Sequence, residues 1–557
     1  MNGPGLHWWG WGTADKIPSL KDRSQLWPTL QAWLDLPERR EERAPVLLDQ
    51  IELRPPQMDD PVLTSLYRVL RDDAICTDSQ ARIEHACGKS YRDLIRLRRG
   101  KVSSPPDVVV YPADEGQVAG VLAWAADRDI VVVPFGGGTS TVGGVEPPPG
   151  GRPTITMDLT RMNRLVSLNT TSWTARVQAG IKGPDLEAAL NKEGFTLGHY
   201  PQSFEFSTLG GWIATRSAGQ AASGYGTIAD MTQALRSVSP TGILETRNAP
   251  ATATGPCLHQ VLLGSEGRYG VVTEAVMRVR PQPEIQDYRG IAFHRLENAM
   301  GALQELTQRG PRPTLVSLAD RAETAAAAVL SNDSHGLRWL ADRGMEAYLS
   351  RRGHNLNGES CLLILGYDGE ANDVKAHWKH ALTVCRDFDG THLGQASGDS
   401  WKRERFVWPY LRDILINMNL VVDTFETATT WSNLINLYQV SHAALKAALP
   451  IVDGGPGYVM TRFSHFSPWG ASLSTTFLGR QAPGYEIEQW QEIKQAATEA
   501  ILDAGGTLSH HHGIGRDHAR WLEEEIGPVG VTVLDALKHT LDPQGIMNPG
   551  DNRFYSA

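Results

Sequence analysis

Pro134-Phe135-Gly136-Gly137-Gly138-Thr139-Ser140 follows directly on an apolar run, Ile130 to Val133. A buried strand that ends in three glycines and two hydroxyls leaves backbone N–H groups bare. Glycine lets that backbone approach a ligand closely and adopt positive φ, so the loop suits a diphosphate. It is neither of two familiar phosphate loops. G-x-G-x-x-G from Gly136 needs glycine at 141, where Thr141 stands, and Gly138-x-x-x-x-Gly143 is followed by Gly144-Val145 rather than Lys-Ser/Thr. A second segment, Pro201 to Gly211, opens a helix over Trp212–Arg216, so Ser207 or Thr208 can cap it and present N–H groups to an anion. A third, Gly264-Ser265-Glu266-Gly267-Arg268-Tyr269-Gly270, again places glycines before a strand. One such loop alone reads as a surface turn. Three within about one domain's length, each at an element junction, point to a large nucleotide cofactor.

His510-His511-His512 is the other chemistry-bearing run. In an extended segment His510 and His512 face one side and His511 the other. A metal centre needs further ligands, and the neighbouring Asp517 and His518 stand at no recognised spacing, so no metal is expected. Imidazole titrates near neutral pH, which suits proton transfer in an active site.

The elements that must position these residues alternate. Residues 1–103 are helix-rich and charged, with an Arg/Glu run near 38–43, and end before a Ser103-Ser104-Pro105-Pro106 boundary. Strands are predicted at Val108–Tyr111, Ile130–Val133, Thr154–Leu159, Thr174–Ala179 and Val271–Val279. An amphipathic helix is predicted over Glu115–Arg128, and another over Pro184–Glu193 with Gly194 as its C-cap. Pro281-Gln282-Pro283 marks a second boundary. Beyond it strands are predicted at Cys361–Gly366, Leu420–Thr424, Tyr458–Phe463 and Ala471–Leu478, with helices at Leu296–Gln308, Trp431–Leu449 and Glu488–Ala504. The pattern is α+β, with no repeat of 20–50 residues. The segment after Gly505 is left without an assigned partner domain.

The 557 residues suffice for two or three domains, and 41% apolar and 21% charged residues describe a folded chain. A net charge of −10 argues against a general nucleic-acid binder. Five scattered cysteines without a C-x-x-C pair suit free thiols in a reducing compartment. There is no run of ~18 apolar residues, no secretory signal pattern, and no peroxisomal tripeptide at Tyr555–Ala557. A cytoplasmic enzyme is expected.

At this point the motifs converge. PFGGGTS at 134–140, GHYPQSFEFSTLGGW at 198–212, TRSAG at 215–219, GSEGRYGVVTEA at 264–275 and SHHHGIGRDHARWL at 509–522 resemble the vanillyl-alcohol-oxidase-type flavoproteins. Within them the chain is similar to the alkyldihydroxyacetonephosphate synthases (alkylglycerone-phosphate synthases). Trp9-Gly10-Trp11-Gly12 and Asp542–Gly550 extend the likeness over nearly the whole chain. The resemblance implies an α+β fold: a two-subdomain FAD-binding domain with an α/β cap that carries the substrate site. An N-terminal helical segment at 1–103, an FAD domain at 104–283, a cap at 284–500 and a C-terminal segment at 501–557 are expected.

FAD is then implied to be held by four groups of residues. These are Pro134, Phe135, Gly136, Gly137, Gly138, Thr139 and Ser140; Gln202, Ser203, Phe204, Glu205, Phe206, Ser207 and Thr208; Thr215, Arg216, Ser217 and Ala218; and Glu266, Gly267, Arg268, Tyr269, Gly270, Val271 and Val272. Covalent flavin attachment in this superfamily often uses a histidine near the glycine loop. None lies within Pro134–Gly144, so non-covalent FAD is expected. Tyr410-Leu411-Arg412-Asp413 matches the family's YIRD, which puts Arg412 at an anionic head group, and Thr424 replaces the serine before the family's FET run. The resemblance assigns proton handling to His510, His511, His512 and His199. Two departures stand out. The family's catalytic tyrosine falls on Ser474, and the arginine of its SIRL segment falls on Ser317.

The family chemistry exchanges the acyl group of acyl-dihydroxyacetone phosphate for a fatty alcohol, with the flavin trapping the substrate as an adduct and no net redox. The implied partners are a small-molecule or lipid substrate with an anionic head group, a peripheral membrane contact and a second copy of the chain, with no nucleic acid. The competing expectations are an FAD-dependent oxidase or dehydrogenase of a hydroxy acid or alcohol, and a silent FAD- or lipid-binding protein.

Overall fold

Val108–Val110, Val131–Phe135 and Thr154–Asp158 are short, rich in β-branched residues and almost wholly buried, as strands covered on both faces must be. They pair in parallel with Thr154–Asp158 between the other two, and Ile75–Cys76 adds an antiparallel edge. The helix Glu115–Ala126, capped by the Asp114 carboxylate accepting from Gln117 N–H, packs Val118, Val121 and Leu122 into this sheet's core. The computed structural model describes residues 6–39, 42–330, 351–355, 358–453 and 455–549. Residues 40–41 of the charged run, Gly550 and Tyr555–Ala557 lie outside them.

A second sheet is antiparallel, in the order Leu165–Asn169, Thr174–Gln178, Val271–Arg278, Thr232–Ser239, Gly242–Glu245. Arg280–Pro281, at the edge of the Pro281-Gln282-Pro283 stretch, pairs with Phe195–Thr196.

The third sheet has seven antiparallel strands. Their order is Thr391–Gly394, Ile285–Phe293, Cys361–Gly369, Leu315–Ala319, Tyr458–Ser464, Gly470–Arg480, Leu420–Thr430. Successive side chains on a strand point to opposite faces. On one face Phe463, Leu473 and Phe477 join a core with Leu303, Trp378, Leu437 and Ile493 from four helices: Leu296–Gln308, Ala371–Asp387, Leu434–Ala448 and Glu486–Asp503. The opposite face fronts the glycine loops.

Both terminal segments tie the sheets together. Leu26, Leu30, Leu34, Tyr91 and Leu94 enter the seven-stranded sheet's core, whereas Met58 and Leu66 enter the parallel sheet's. Near the C-terminus, Val132 N–H donates to Ile546 O at 2.8 Å and Asn548 N–H donates to Val132 O at 2.9 Å. The same segment meets the other sheet, since Thr507 N–H donates to Ala428 O at 3.1 Å. The segment after Gly505 therefore spans the junction. All five cysteines are free, and no described helix is long and apolar enough to cross a membrane.

Candidate active site

Three glycine loops meet because their residues lack side chains at the points of contact. A Cβ on Gly137 would lie 2.0 Å from Phe206 O, and one on Gly136 would lie 2.2 Å from Thr208 Oγ1. Thr208 is the cap of the helix Leu209–Thr215, accepting from Gly211 N–H at 3.3 Å. Ser207 instead accepts the Trp212 indole N–H at 2.7 Å. In the third loop Glu266 adopts φ +49°, and its carboxylate takes the Gly515 N–H at 3.0 Å. Burial pushes the Glu266 carboxyl up to about 7, against the pull of that N–H. The Asn548 side chain donates to Gly144 O and Glu266 O, joining the first and third loops.

These loops form one side of a cavity of about 340 Å³. Pro134 to Ser140, Gln202, Ser203, Ser207, Thr208, Thr215, Ser217, Glu266, Gly267, Gly270 and Val272 line it. The remaining residues assigned to the cofactor do not. Phe204 stacks among Tyr200, Trp212 and Phe406, while Glu205 pairs with Lys16 and accepts from Tyr410 Oη. Phe206 packs edge-on against Trp11. Arg216 is the left-handed C-cap of its helix and reaches outward to Gln260. Ala218, Arg268, Tyr269 and Val271 are buried away from the cavity wall, with Tyr269 in the antiparallel sheet's core and Val271 in the parallel sheet's.

The opposite side is the free face of the seven-stranded sheet. Three rows cross it in register. Glu426, Ser474 and Arg462 form the first, Thr424, Thr476 and Met460 the second, and Val422 and Leu478 the third. Polarity thus falls along the sheet, from an ionic row to an apolar one that Leu415 extends. The strand Leu420–Thr430 runs six residues beyond the predicted end at Thr424, and that extension carries Glu426.

The loop after Thr507 brings the histidines to the ionic row. His511 Nδ1 stands 2.6 Å from Glu426 Oε2, and His512 Nε2 stands 3.7 Å from Oε1. The expected alternation is overturned: the loop is not a strand, so His511 and His512 line the cavity together. His510 turns the other way, stacking on His465 at 4.8 Å beside a second cavity, with its Nδ1 2.9 Å from His511 Nδ1. Burial alone would raise the Glu426 carboxyl, but His511 and His512 outweigh it and hold that group well below the usual carboxylate range. Burial pushes His512 down to about 4 and His510 down to about 3. The spacing of Asp517 and His518 gave no metal set, yet the fold groups Glu426, His511 and His512, and separately His465, His510 and His511, with candidate ligand atoms within 4.8 Å of one another.

His199 is not brought to the cavity wall. Its ring lies 4.8 Å from that of Trp212, its Nε2 stands 3.2 Å from Ser217 Oγ, and burial pushes it down to about 3. Burial thus favours the neutral ring, and His199 reaches the cavity wall only through Ser217.

Arg412 lines the cavity from the helix Trp408–Asn417. Its neighbour Asp413 is committed elsewhere, accepting the Trp11 N–H at 2.5 Å and lying 3.3 Å from Arg98 Nη2. Among the described residues no carboxylate pairs with Arg412, and its buried Nε has no hydrogen-bond partner. The N-terminal Trp-Gly-Trp-Gly run holds this helix in place. A Cβ on Gly10 would lie 2.4 Å from Asp413 Oδ2, and one on Gly12 would lie 1.9 Å from Tyr410. Lys494, 6% exposed, also faces the cavity, beneath the Phe425 ring at 4.5 Å. Glu426 entered the sequence reading only as part of the FET run Phe425-Glu426-Thr427, without a role, and Arg462 and Lys494 escaped it. Period-2 alternation from Thr424 marks Glu426, whereas nothing local marks Arg462 or Lys494.

Residues 106–247 match the FAD binding domain family, and residues 282–552 match the family of FAD linked oxidases, C-terminal domain. A solved alkyldihydroxyacetonephosphate synthase superposes with a TM-score of 0.84 at 31% identity, over 98% of each chain. p-Cresol methylhydroxylase with substrate bound shares the fold alone, with a TM-score of 0.67 at 15% identity over 90% of this chain and 99% of that one. The vanillyl-alcohol-oxidase-type α+β fold is therefore the observed one, the cofactor is FAD, and the chain is an FAD-dependent enzyme. Alkyldihydroxyacetonephosphate synthase from Trypanosoma brucei brucei is 35% identical over 504 residues, 89% of this chain and 81% of the relative. On that identity and coverage, the chain belongs to the alkyldihydroxyacetonephosphate synthase family.

Proposed function

We propose that the enzyme replaces the acyl group of acyl-dihydroxyacetone phosphate with a fatty alcohol, forming an ether lipid precursor. The observation that carries this reading is Arg412. A guanidinium without a carboxylate partner among the described residues, in a cavity that also holds an ionic row and an apolar row, suits a phosphate attached to a chain. Arg412 binds the phosphate, and Thr424 lies farther along the sheet toward the apolar row. His511, set by Glu426, takes the alcohol's proton, and His512 lies within reach of the same carboxylate. His510 has no direct contact with the cavity and acts through His511. FAD, when bound, supplies the electron-accepting ring for a reaction with no net redox. The chain's own residues position the substrate, balance its charge and move its proton.

The FAD is held without a covalent bond, because the loop Pro134–Gly144 contains no histidine. Acid precipitation of the purified enzyme is expected to release yellow FAD into the supernatant. Colour that stays in the washed pellet refutes the non-covalent attachment.

An oxidase or dehydrogenase is the second reading, favoured by one observation: Ser474 occupies the place of the family tyrosine, and a serine hydroxyl is a far weaker acid than a phenol of pKa ~10. The two readings separate under anaerobic conditions with oxidised enzyme, palmitoyl-dihydroxyacetone phosphate and hexadecanol. The synthase forms alkyl product without bleaching the flavin band, and Ser474→Tyr preserves or raises that rate. Stoichiometric bleaching by a hydroxy acid or alcohol, with no alkyl product, decides for the oxidoreductase.

A further inference from the structure

Ser474 is flanked in register by Glu426 on one strand and Arg462 on the other. Directly opposed residues of antiparallel strands place their Cβ atoms ~4.5–5.5 Å apart, so Arg462 enters the cavity beside the position a tyrosine would occupy. Its guanidinium pairs with Glu323, a carboxylate 4% exposed in the first turn of the helix Arg321–Leu330. The Glu323 backbone N–H donates to Asp320 Oδ1 at 2.7 Å, which fixes that turn. Glu323 thereby holds one edge of a planar fork. Among the described residues no other acceptor takes its remaining N–H groups.

The Trp408 ring lies 5.8 Å from Arg462 Cζ, and Arg412 follows Trp408 by four residues on the same helix. Residues four apart share a helix face. One cavity therefore presents Trp408 and two guanidinium groups, one without a carboxylate among the described residues and one held by a single carboxylate. Ser317, which takes the place of an arginine in the family's SIRL segment, does not line the cavity. Its strand is hydrogen-bonded to Arg462's, with Ala319 the partner of Arg462.

The proposed exchange handles two anions, a phosphate that stays and a carboxylate that leaves. We propose that Arg462, braced by Glu323, is the binding site for the carboxylate of the departing fatty acid, while Arg412 holds the phosphate. This assignment rests on the reaction proposed above. In that reaction the bond between the dihydroxyacetone carbon and the acyl oxygen breaks, and its electron pair stays on the acyl oxygen. The alcohol oxygen bonds to the same carbon and its proton passes to His511, so the acid departs as a carboxylate and no electrons are gained or lost. A carboxylate set free in a cavity whose wall runs on to Met460, Val422 and Leu478 is costly without a partner. Two parallel guanidinium N–H groups match its oxygens, and they stay protonated at any pH the enzyme meets. Ser474 offers one neutral hydroxyl at most.

Calorimetry on the FAD-loaded enzyme tests the assignment with three probes: dodecanoate, dodecanol and dihydroxyacetone phosphate. Arg462→Gln is expected to weaken dodecanoate 10- to 100-fold while dodecanol and dihydroxyacetone phosphate stay within twofold. Arg462→Lys keeps the charge but loses the fork, and is expected to weaken dodecanoate about fivefold. It provides the measurement if the Gln variant fails to retain FAD. Dodecanoate affinity within twofold of the parent in the tested variant overturns the assignment. Equal losses for dodecanoate and dodecanol also overturn it, since they indicate lost packing. A parent enzyme that binds no dihydroxyacetone phosphate refutes the reaction itself, an outcome separate from both.

Discussion

His511→Ala lowers the rate of alkyl product formation by about 10²- to 10⁴-fold, the range a positioned acid–base group contributes, while FAD content stays near that of the parent enzyme. The expectation rests on geometry. His511 lines the cavity, and its Nδ1 stands 2.6 Å from the Glu426 carboxylate, whose pKa lies well below the usual carboxylate range. That carboxylate fixes the ring and stabilises the imidazolium formed when the alcohol's proton arrives. His199→Ala serves as the contrast. That ring lies behind the loop, so its loss costs packing against Trp212 and leaves the single-turnover rate of the folded, FAD-loaded fraction within a few-fold. Single-turnover product formation measured on both variants checks the pair. A His511→Ala enzyme within threefold of the parent rate moves proton transfer to another group.

Arg412→Ala weakens dihydroxyacetone phosphate binding by roughly 30-fold, about 2 kcal/mol, the lower end of the cost of truncating a charge-paired group. The helix itself is expected to survive. Asp413 is held by Arg98 and by the Trp11 N–H, so removing the Arg412 side chain breaks no ion pair within the described residues. Arg412→Lys recovers part of the affinity, because an ammonium keeps the charge without the planar fork. Flavin content separates this effect from loss of the FAD diphosphate. Calorimetry with dihydroxyacetone phosphate gives the number, and an unchanged affinity returns Arg412 to the structural arginines.

Elements that obey one local rule were legible. The helix Leu296–Gln308 has a clear apolar period and stands where its pattern puts it. The strand before the first glycine loop is a β-branched run buried on both faces. Elements whose polar residues face a partner were not legible. Ile285–Phe293 opens with Gln286, Asp287 and Arg289, and the sequence pattern predicts no strand there. In the fold Lys402 donates to Gln286 and Gln395 donates to Asp287, so those polar groups are satisfied on a strand. Leu420–Thr430 looked as if it ended at Thr424 because its second half turns polar toward the cavity. The helix Leu522–Leu541 is broken by Gly527 at φ +73° and Pro528, which hid its length.

The sequence by itself determined where the backbone could approach a diphosphate, since glycine runs after a buried strand act through their own φ, ψ and missing Cβ atoms. It also determined that three histidines would stand together, because adjacency along the chain needs no fold. Only the tertiary structure decided which of them meets the substrate cavity. The loop is anchored to both sides, at Ala428 and through Gly515 at Glu266, and that anchoring turns His511 and His512 inward and His510 outward. Likewise the pairing of Glu426 with His511, the freedom of Arg412 and the entry of Arg462 beside Ser474 depend on strand register and on which carboxylates other arginines have already taken. These are long-range outcomes of packing, and no local spacing in the chain encodes them.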